Sequence, residues 1–260
     1  MRRLLLATDL DRTLLPNGAE PEAEGARERF TALVARPEVT LAYVSGRDIG
    51  RIDEAITTWD LPVPDHAVAD VGTSVWHPRW SRDARWDARL RPSWGDDGAR
   101  RIGEVLQGFV GLTLQDADRQ GPFKVSFTRP PEGDVADQVM AHLATLGLPV
   151  RTIWSHDPVA EVELLDVLPE PASKRHALEW LHTALGIDEA DVVFAGDSGN
   201  DLEVMGSELP AVLVGNASTD VRDAAKAAAA ARSERLHLAT GTYADGILEG
   251  VWHFRPDLAP

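Results

Sequence analysis

Asp9 and Asp11, in the run Asp9-Leu10-Asp11-Arg12-Thr13, are two carboxylates spaced two residues apart just after a short apolar stretch, Leu4-Leu5-Leu6-Ala7. The strand period of two directs both side chains to one side, where they can share a site. Phosphoryl transfer from an alcohol needs a nucleophile, neutralisation of charge on the equatorial oxygens and a proton for the leaving alkoxide. In such a reaction Asp9 can attack and Asp11 can donate. A turn or helix cap after a strand accounts for the same pair without chemistry, because aspartate serves both.

A second acidic cluster, Gly196-Asp197-Ser198-Gly199-Asn200-Asp201, follows the apolar run Val192 to Ala195. Asp197 and Asp201 fall one helical turn apart if a helix begins near Ser198. With Asp9 they make a hard, oxygen-rich site of the kind Mg²⁺ prefers. A glycine-rich turn capping a helix is the alternative. Ser45-Gly46-Arg47 follows a third apolar run, Val39 to Val44, and offers a hydroxyl and backbone N–H groups at a helix N-terminus, a small nest for a phosphate oxygen. A simple N-cap explains Ser45 equally well. Lysine is scarce, with only Lys124, Lys174 and Lys226 against 23 arginines. Lys174, beside Ser173 at the start of an amphipathic helix, stands where a compact ammonium fits between a carboxylate and a phosphate and a guanidinium fork would overfill the space. Lys124 can serve likewise farther up the chain, whereas Lys226 has a bland helical setting.

These clusters need elements to hold them. The three apolar runs are near-continuous rather than alternating, which suits strands buried on both faces of a parallel sheet. Amphipathic helices are expected over 21–35, 48–59, 173–186 and 200–209, an α/β pattern in which ligands bind beyond the carboxyl ends of the strands. The middle reads differently. After a stretch rich in Trp and Arg, a helix near 97–109, strands near 112–115 and 123–128, a helix near 134–146 and strands near 149–154 and 161–167 make a compact α+β module. The expected organisation is therefore a Rossmann-like parallel-sheet core over 1–82 and 169–260, with an α+β cap inserted at 83–168. The alanine-rich segment 224–231 reads as helix, since alanine is the best helix former.

Composition limits the partners. With 260 residues and 43% hydrophobic content the chain can bury a core, and its formal charge of −16 would repel nucleic acid and anionic membrane surfaces. There is no cysteine, so thiolate metal sites and cysteine nucleophiles are excluded. The start, Met1-Arg2-Arg3 before Leu4 to Ala7, has the charged flank of a signal peptide, but its apolar run ends at Asp9, too soon for export. No stretch approaches the ~20 apolar residues of a membrane span. A cytoplasmic protein acting on a small anion is the expectation.

Taken in order, Asp-Leu-Asp-Arg-Thr, Ser-Gly-Arg, Ser-Lys and Gly-Asp-Ser-Gly-Asn-Asp resemble the four motifs of the haloacid dehalogenase superfamily of phosphatases. The resemblance implies a phospho-aspartate on Asp9, acid and base work by Asp11, a phosphate held by Ser45, Gly46, Lys174 and Asn200, and Mg²⁺ ligands among Asp9, Asp11, Asp197 and Asp201. Within that superfamily the chain resembles the sucrose-phosphate phosphatase group. The supporting segments are Leu41 to Arg47, Val71-Gly72-Thr73, Trp76-His77-Pro78, Pro122-Phe123-Lys124-Val125-Ser126, Val214-Gly215-Asn216-Ala217 and Gly246-Ile247-Leu248-Glu249. That likeness places Arg47, Thr73 and the cap residue Lys124 at the substrate. It departs at Arg12 and Leu14, where plant and cyanobacterial members typically carry Asn and Trp, and at Arg175. A disaccharide phosphate such as sucrose 6-phosphate or mannosylfructose phosphate is the implied substrate, with a generic hexose or glycosyl-acid phosphate as the nearest alternative. A phosphomutase and a non-catalytic sugar-phosphate-binding partner of a glycosyltransferase stand further off. Association of the enzyme itself with such a glycosyltransferase is a further expectation.

Overall fold

Five consecutive residues without solvent contact, LLLAT, make the first strand, β1 (Leu4–Thr8), and such a run is stable only where both faces of a sheet are covered. The computed structural model describes residues 3–130, 135–157 and 160–260. Met1 and Arg2, the charged flank considered above, lie outside them, as does residue 134 at the start of one expected helix. In chain order β1 is followed by α1 (Ala26–Val34), β2 (Val39–Val44), α2 (Ile49–Trp59), β3 (His66–Ala69), β4 (Ser74–His77) and β5 (Ser81–Arg82). Next come α3 (Ala84–Trp94), α4 (Gly98–Leu106), β6 (Thr113–Leu114), β7 (Val125–Arg129), α5 (Ala136–Ala144), β8 (Val150–Asp157) and β9 (Val162–Pro169). The chain closes with α6 (Lys174–Leu185), β10 (Val192–Gly196), α7 (Leu202–Met205), β11 (Ala211–Leu213), α8 (Thr219–Ala228), β12 (Leu236–Leu238) and α9 (Tyr243–Phe254).

Two compact units result, Met1–Arg82 with Lys174–Pro260, and Asp83–Ser173. The larger carries an eight-stranded sheet in the order β12-β11-β10-β1-β2-β3-β4-β5. It is parallel from β12 to β3, and β4 and β5 are added antiparallel at one edge. This is the α/β class read from the sequence. Leu4, Leu6, Leu41, Tyr43, Val193 and Val212 share one core with Phe30 of α1, Ile52 of α2 and Ile247 and Val251 of α9. The alternate residues Leu5, Ala7, Val192 and Phe194 are equally buried, so both faces are covered. α2 is opened by Asp48, whose side chain accepts the Arg51 N–H, and closed by Asp60 in the left-handed region. α1 starts five residues later than the expected 21, behind Gly25 at φ 69°. The expected helix over 200–209 is a 3₁₀ turn, Gly199–Asp201, followed by the four residues of α7.

The smaller unit is a four-stranded antiparallel sheet, β6-β7-β9-β8. Trp94, Ile102, Leu106, Val125, Phe127, Val139, Leu143, Leu165 and Val167 form its core. α3 was not anticipated. Asp83 caps it by accepting the Arg85 and Trp86 N–H groups, and Trp86, Leu90 and Trp94 form a buried stripe at four-residue spacing. No helix among the described residues is long and apolar enough to cross a membrane.

Candidate active site

In the larger sheet β1 lies between β2 and β10, so the chain departs from β1 to one side and later returns on the other. That reversal opens a crevice at the carboxyl ends of the strands, the usual ligand position in open α/β sheets. Thr8 pairs with both Ala195 and Tyr43, and the Asp9 N–H continues the ladder to the Ala195 carbonyl at 2.9 Å. Asp9 therefore stands beside the ends of β10 and β2, which lead into Asp197 and Ser45. Lys174, the first residue of α6, completes the group.

Lys174 is fully buried and its ammonium makes three bonds, to Asp9 Oδ2 at 2.7 Å, Asp201 Oδ1 at 2.8 Å and Asn200 Oδ1 at 3.0 Å. The other Asp9 oxygen, Oδ1, accepts the Leu10 N–H at 2.7 Å. Asp201 Oδ2 accepts the N–H groups of Asp197 and Ser198, each at 3.1 Å, and closes a capping box with Ser198. The Asp201 carboxylate thus caps the turn, as one reading of the Gly-Asp-Ser-Gly-Asn-Asp run has it, and also partners the buried lysine. Its position demands glycine before it: a Cβ on Gly196 would lie 2.5 Å from the Asp201 carboxyl carbon. Asp197 is held from the loop after β1, by the Thr13 hydroxyl on Oδ1 at 3.2 Å and by Arg12 Nη2 on Oδ2 at 3.0 Å.

Asp9, Asp197 and Asp201 are all buried, and each offers an oxygen within 4.8 Å of the others. Burial pushes the Asp9 carboxyl up to about 8, Lys174 opposing and Asp201 and Asp197 adding to it. Burial and Asp201 push Asp197 up to about 6 against Arg12, Lys174 and Thr13. Burial alone would lower the Lys174 ammonium, but Asp201 and Asp9 outweigh it and hold it above its ordinary value. The cluster is short of positive charge. An all-oxygen donor set in that condition fits a hard divalent cation.

Asp11 is placed differently from the expectation that it joins the metal ligands. It is absent from the buried triad, and Arg47 grips it with both arms of the guanidinium, Nε to Oδ2 at 2.8 Å and Nη2 to Oδ1 at 2.6 Å. Asn17 Nδ2 adds a bond to Oδ1 at 2.8 Å. Burial raises the Asp11 carboxyl, yet the Arg47 fork prevails and keeps it below its ordinary value. Arg47, read as substrate-binding, is thus occupied within the protein. The loops after β2 and β3 are zipped together, since Asp70 donates its N–H to the Arg47 carbonyl at 2.8 Å and Val71 to the Ser45 carbonyl at 3.1 Å. In that seam Ser45 Oγ accepts the Arg47 N–H at 3.2 Å, and Thr73 turns its hydroxyl back onto the Asp70 carbonyl at 3.0 Å. A notional Cβ on Gly46 would make ordinary van der Waals contact with Val71 Cγ2 at 3.8 Å. Lys124 belongs to the smaller unit, where it is buried just before β7.

Several contributors escaped the sequence reading. Arg12 sits in the left-handed region at φ 55°. Asn17 Oδ1 takes its N–H at 2.8 Å and Asn216 Nδ2 bonds its carbonyl at 2.6 Å. Asn216 is oriented in turn by the Tyr243 N–H at 3.0 Å. Asn216 lies in a segment that carried the family resemblance, which was its only signal.

A family model described as sucrose-6F-phosphate phosphohydrolase matches residues 2–255. A protein of Nitrosococcus oceani described as a HAD-like hydrolase is 40% identical over 274 residues, spanning 98% of this chain and 73% of its own. The mannosylfructose-phosphate phosphatase of Agrobacterium fabrum is 29% identical over 254 residues, covering 96% of each. Among solved structures, the sucrose-phosphatase of Synechocystis sp. PCC6803 in complex with sucrose and phosphate superposes with a TM-score of 0.82, at 28% identity and over 98% of both chains. The chain belongs to the sucrose-6F-phosphate phosphohydrolase family and is a phosphatase of the haloacid dehalogenase superfamily.

Proposed function

We propose that the chain hydrolyses a disaccharide phosphate through a phospho-aspartate on Asp9, with Mg²⁺ held by Asp9, Asp197 and Asp201. The observation that carries this reading is the buried trio of carboxylates, which Lys174 leaves short of positive charge. Bound Mg²⁺ would supply charge to the equatorial phosphate oxygens. Lys174 keeps Asp9 aimed and pairs with phosphate as the Asp9 carboxylate attacks phosphorus. Ser45 Oγ, the Gly46 N–H and Asn200 line the phosphate's side of the site. Asp11 leaves the Arg47 fork, takes a proton from solvent and passes it to the leaving sugar oxygen. Water then attacks the phospho-aspartate. Asp11, ionised again once it has given up its proton, accepts the proton of that water as the bond from phosphorus to Asp9 breaks and phosphate leaves.

The core groups can hold any phosphate, so selection falls to groups reaching beyond it. We assign that task to residues 83–173 as a cap, with Lys124 reading the sugar. The Synechocystis structure holds sucrose and phosphate, and the Agrobacterium relative is named for a second disaccharide phosphate; both favour a two-ring substrate. A glycosyltransferase that joins a sugar to an already phosphorylated acceptor catalyses the preceding reaction and is the partner this reading implies. Turnover across sucrose 6-phosphate, mannosylfructose phosphate and glucose 6-phosphate, with and without EDTA, tests the proposal. Equal kcat/KM on glucose 6-phosphate would remove the disaccharide, and full activity in EDTA would remove the metal.

A further inference from the structure

We infer that Arg12 occupies the cation's place on Asp197 and is displaced when the cation binds, so that the chain carries a built-in competitor setting its own metal affinity. The inference rests on the Mg²⁺ reading above and concerns one bond, Arg12 Nη2 to Asp197 Oδ2 at 3.0 Å. The partners of the three carboxylates differ in how easily they can leave. Asp9 is bonded to the Leu10 N–H and to Lys174, and Asp201 to Lys174 and two backbone N–H groups. Asp197 Oδ1 is bonded to Thr13, which is fully buried. All of these are fixed by the fold. Arg12 is different, since its side chain is 49% exposed while that of Asp197 is 3% exposed. Its guanidinium can swing into water with its charge fully solvated, which a buried lysine cannot do.

The backbone beneath it does not need to move. Arg12 is pinned in the left-handed region by Asn17 at its N–H and Asn216 at its carbonyl. Such a conformation persists in a non-glycine residue only when its surroundings impose it. The side chain therefore starts from a fixed point beside Asp197, and exchange between carboxylate and solvent is a matter of rotamers. While Arg12 is in place both Asp197 oxygens are engaged by the protein. A cation that needs Oδ2 must take it from the guanidinium, and the lost ion pair is subtracted from the affinity.

The experiment uses the full chain as wild type, Arg12→Gln and Asp197→Asn. Mg²⁺ binding is measured by calorimetry, and thermal unfolding is followed in EDTA and in saturating Mg²⁺. Arg12→Gln should bind Mg²⁺ on the order of tenfold more tightly, the scale of one partly screened charge-assisted hydrogen bond. In EDTA it should melt below wild type, because metal-free Asp197 has lost its partner. In saturating Mg²⁺ that deficit should close, since Arg12 no longer touches Asp197 in either protein. A merely structural arginine would leave the deficit in place. Unchanged or weaker binding by Arg12→Gln, or a deficit that survives Mg²⁺, overturns the inference. If wild type takes up no Mg²⁺, or Asp197→Asn binds it equally well, the metal assignment fails and the inference falls with it.

Discussion

Replacing Asp9, the proposed nucleophile, should make the metal-free protein more stable. Burial raises the Asp9 carboxyl from 3.8 to about 8, so the folded chain keeps a proton that the unfolded chain releases throughout that window. Stability then falls as pH rises from about 4 to 8, because the unfolded state binds fewer protons there. At pH 7 the displacement amounts to about three pH units of the window, each ~1.4 kcal/mol, and proton sharing with Asp197 and Lys174 reduces the sum to about 2–4 kcal/mol. An asparagine amide in place of this carboxyl would carry no such proton, would keep the shape of the side chain and would leave Lys174 its bonds to Asp201 and Asn200. Asp9→Asn should therefore melt roughly 5–15 °C above wild type in EDTA at pH 8. The gain should be smaller at pH 5.5 and should shrink when Mg²⁺ stabilises the wild type, and turnover should be abolished. Melting curves at the two pH values decide the matter. A variant less stable than wild type, or a gain indifferent to pH, would show that attraction to Lys174 outweighs burial and that the site is not short of positive charge.

Asp11→Asn should lower kcat by about 10² to 10⁴ for want of a proton donor, yet leave Mg²⁺ affinity in calorimetry nearly unchanged, because Arg47 and not the triad holds that carboxylate. A parallel loss of Mg²⁺ binding would return Asp11 to the ligands. Glu249 binds the N–H groups of Thr240 and Gly241 and the ring of His237; burial works against it, but these bonds bring its carboxyl down to about 2. Its stabilisation is full above the ordinary 4.5 and disappears as pH falls towards 2. With a third of the side chain exposed it is worth about 1–2 kcal/mol, so Glu249→Gln should lose that much in urea unfolding at pH 7 and less than about half of it at pH 3. Lys124→Ala should cost about 10- to 150-fold in kcat/KM on a disaccharide phosphate, the worth of one charged hydrogen bond, and much less on p-nitrophenyl phosphate. Equal losses on both would place Lys124 in folding or at the phosphate.

Residues that stand at a strand end were legible in the sequence, and contacts arising between distant loops were not. The apolar runs before Asp9, Ser45 and Asp197 announced β1, β2 and β10 because a short unbroken apolar run, too brief for a helix, suits a strand buried on both faces. α3 stayed hidden because Pro92 and its arginines, Arg85, Arg89 and Arg91, mask the stripe of Trp86, Leu90 and Trp94. The short β11 and β12 have too few residues for a pattern to declare itself. In the site, spacing marked Asp9 and Asp197 but not the groups that hold their remaining oxygens. The Arg12 contact to Asp197 spans most of the chain, and the Arg47 grip on Asp11 depends on a rotamer reaching back across two loops. The family likeness puts Arg47 at a substrate, yet a nearer carboxylate, Asp11, claims it.

The strand order has a consequence for synthesis on the ribosome. β1 has its first neighbour, β2, once the chain has reached Val44, but its second, β10, is made only after Asp83–Ser173 and α6. At ~5–20 residues per second the first five strands exist for roughly 5–20 s before β10 emerges. During that interval a strand of four apolar residues and one threonine is an open edge, with no proline or charge within it to discourage pairing. A fragment ending at Arg82 should therefore self-associate, and Leu5→Lys within it should suppress the light scattering that reports this. A monodisperse fragment would mean that some other part of the nascent chain shields the edge.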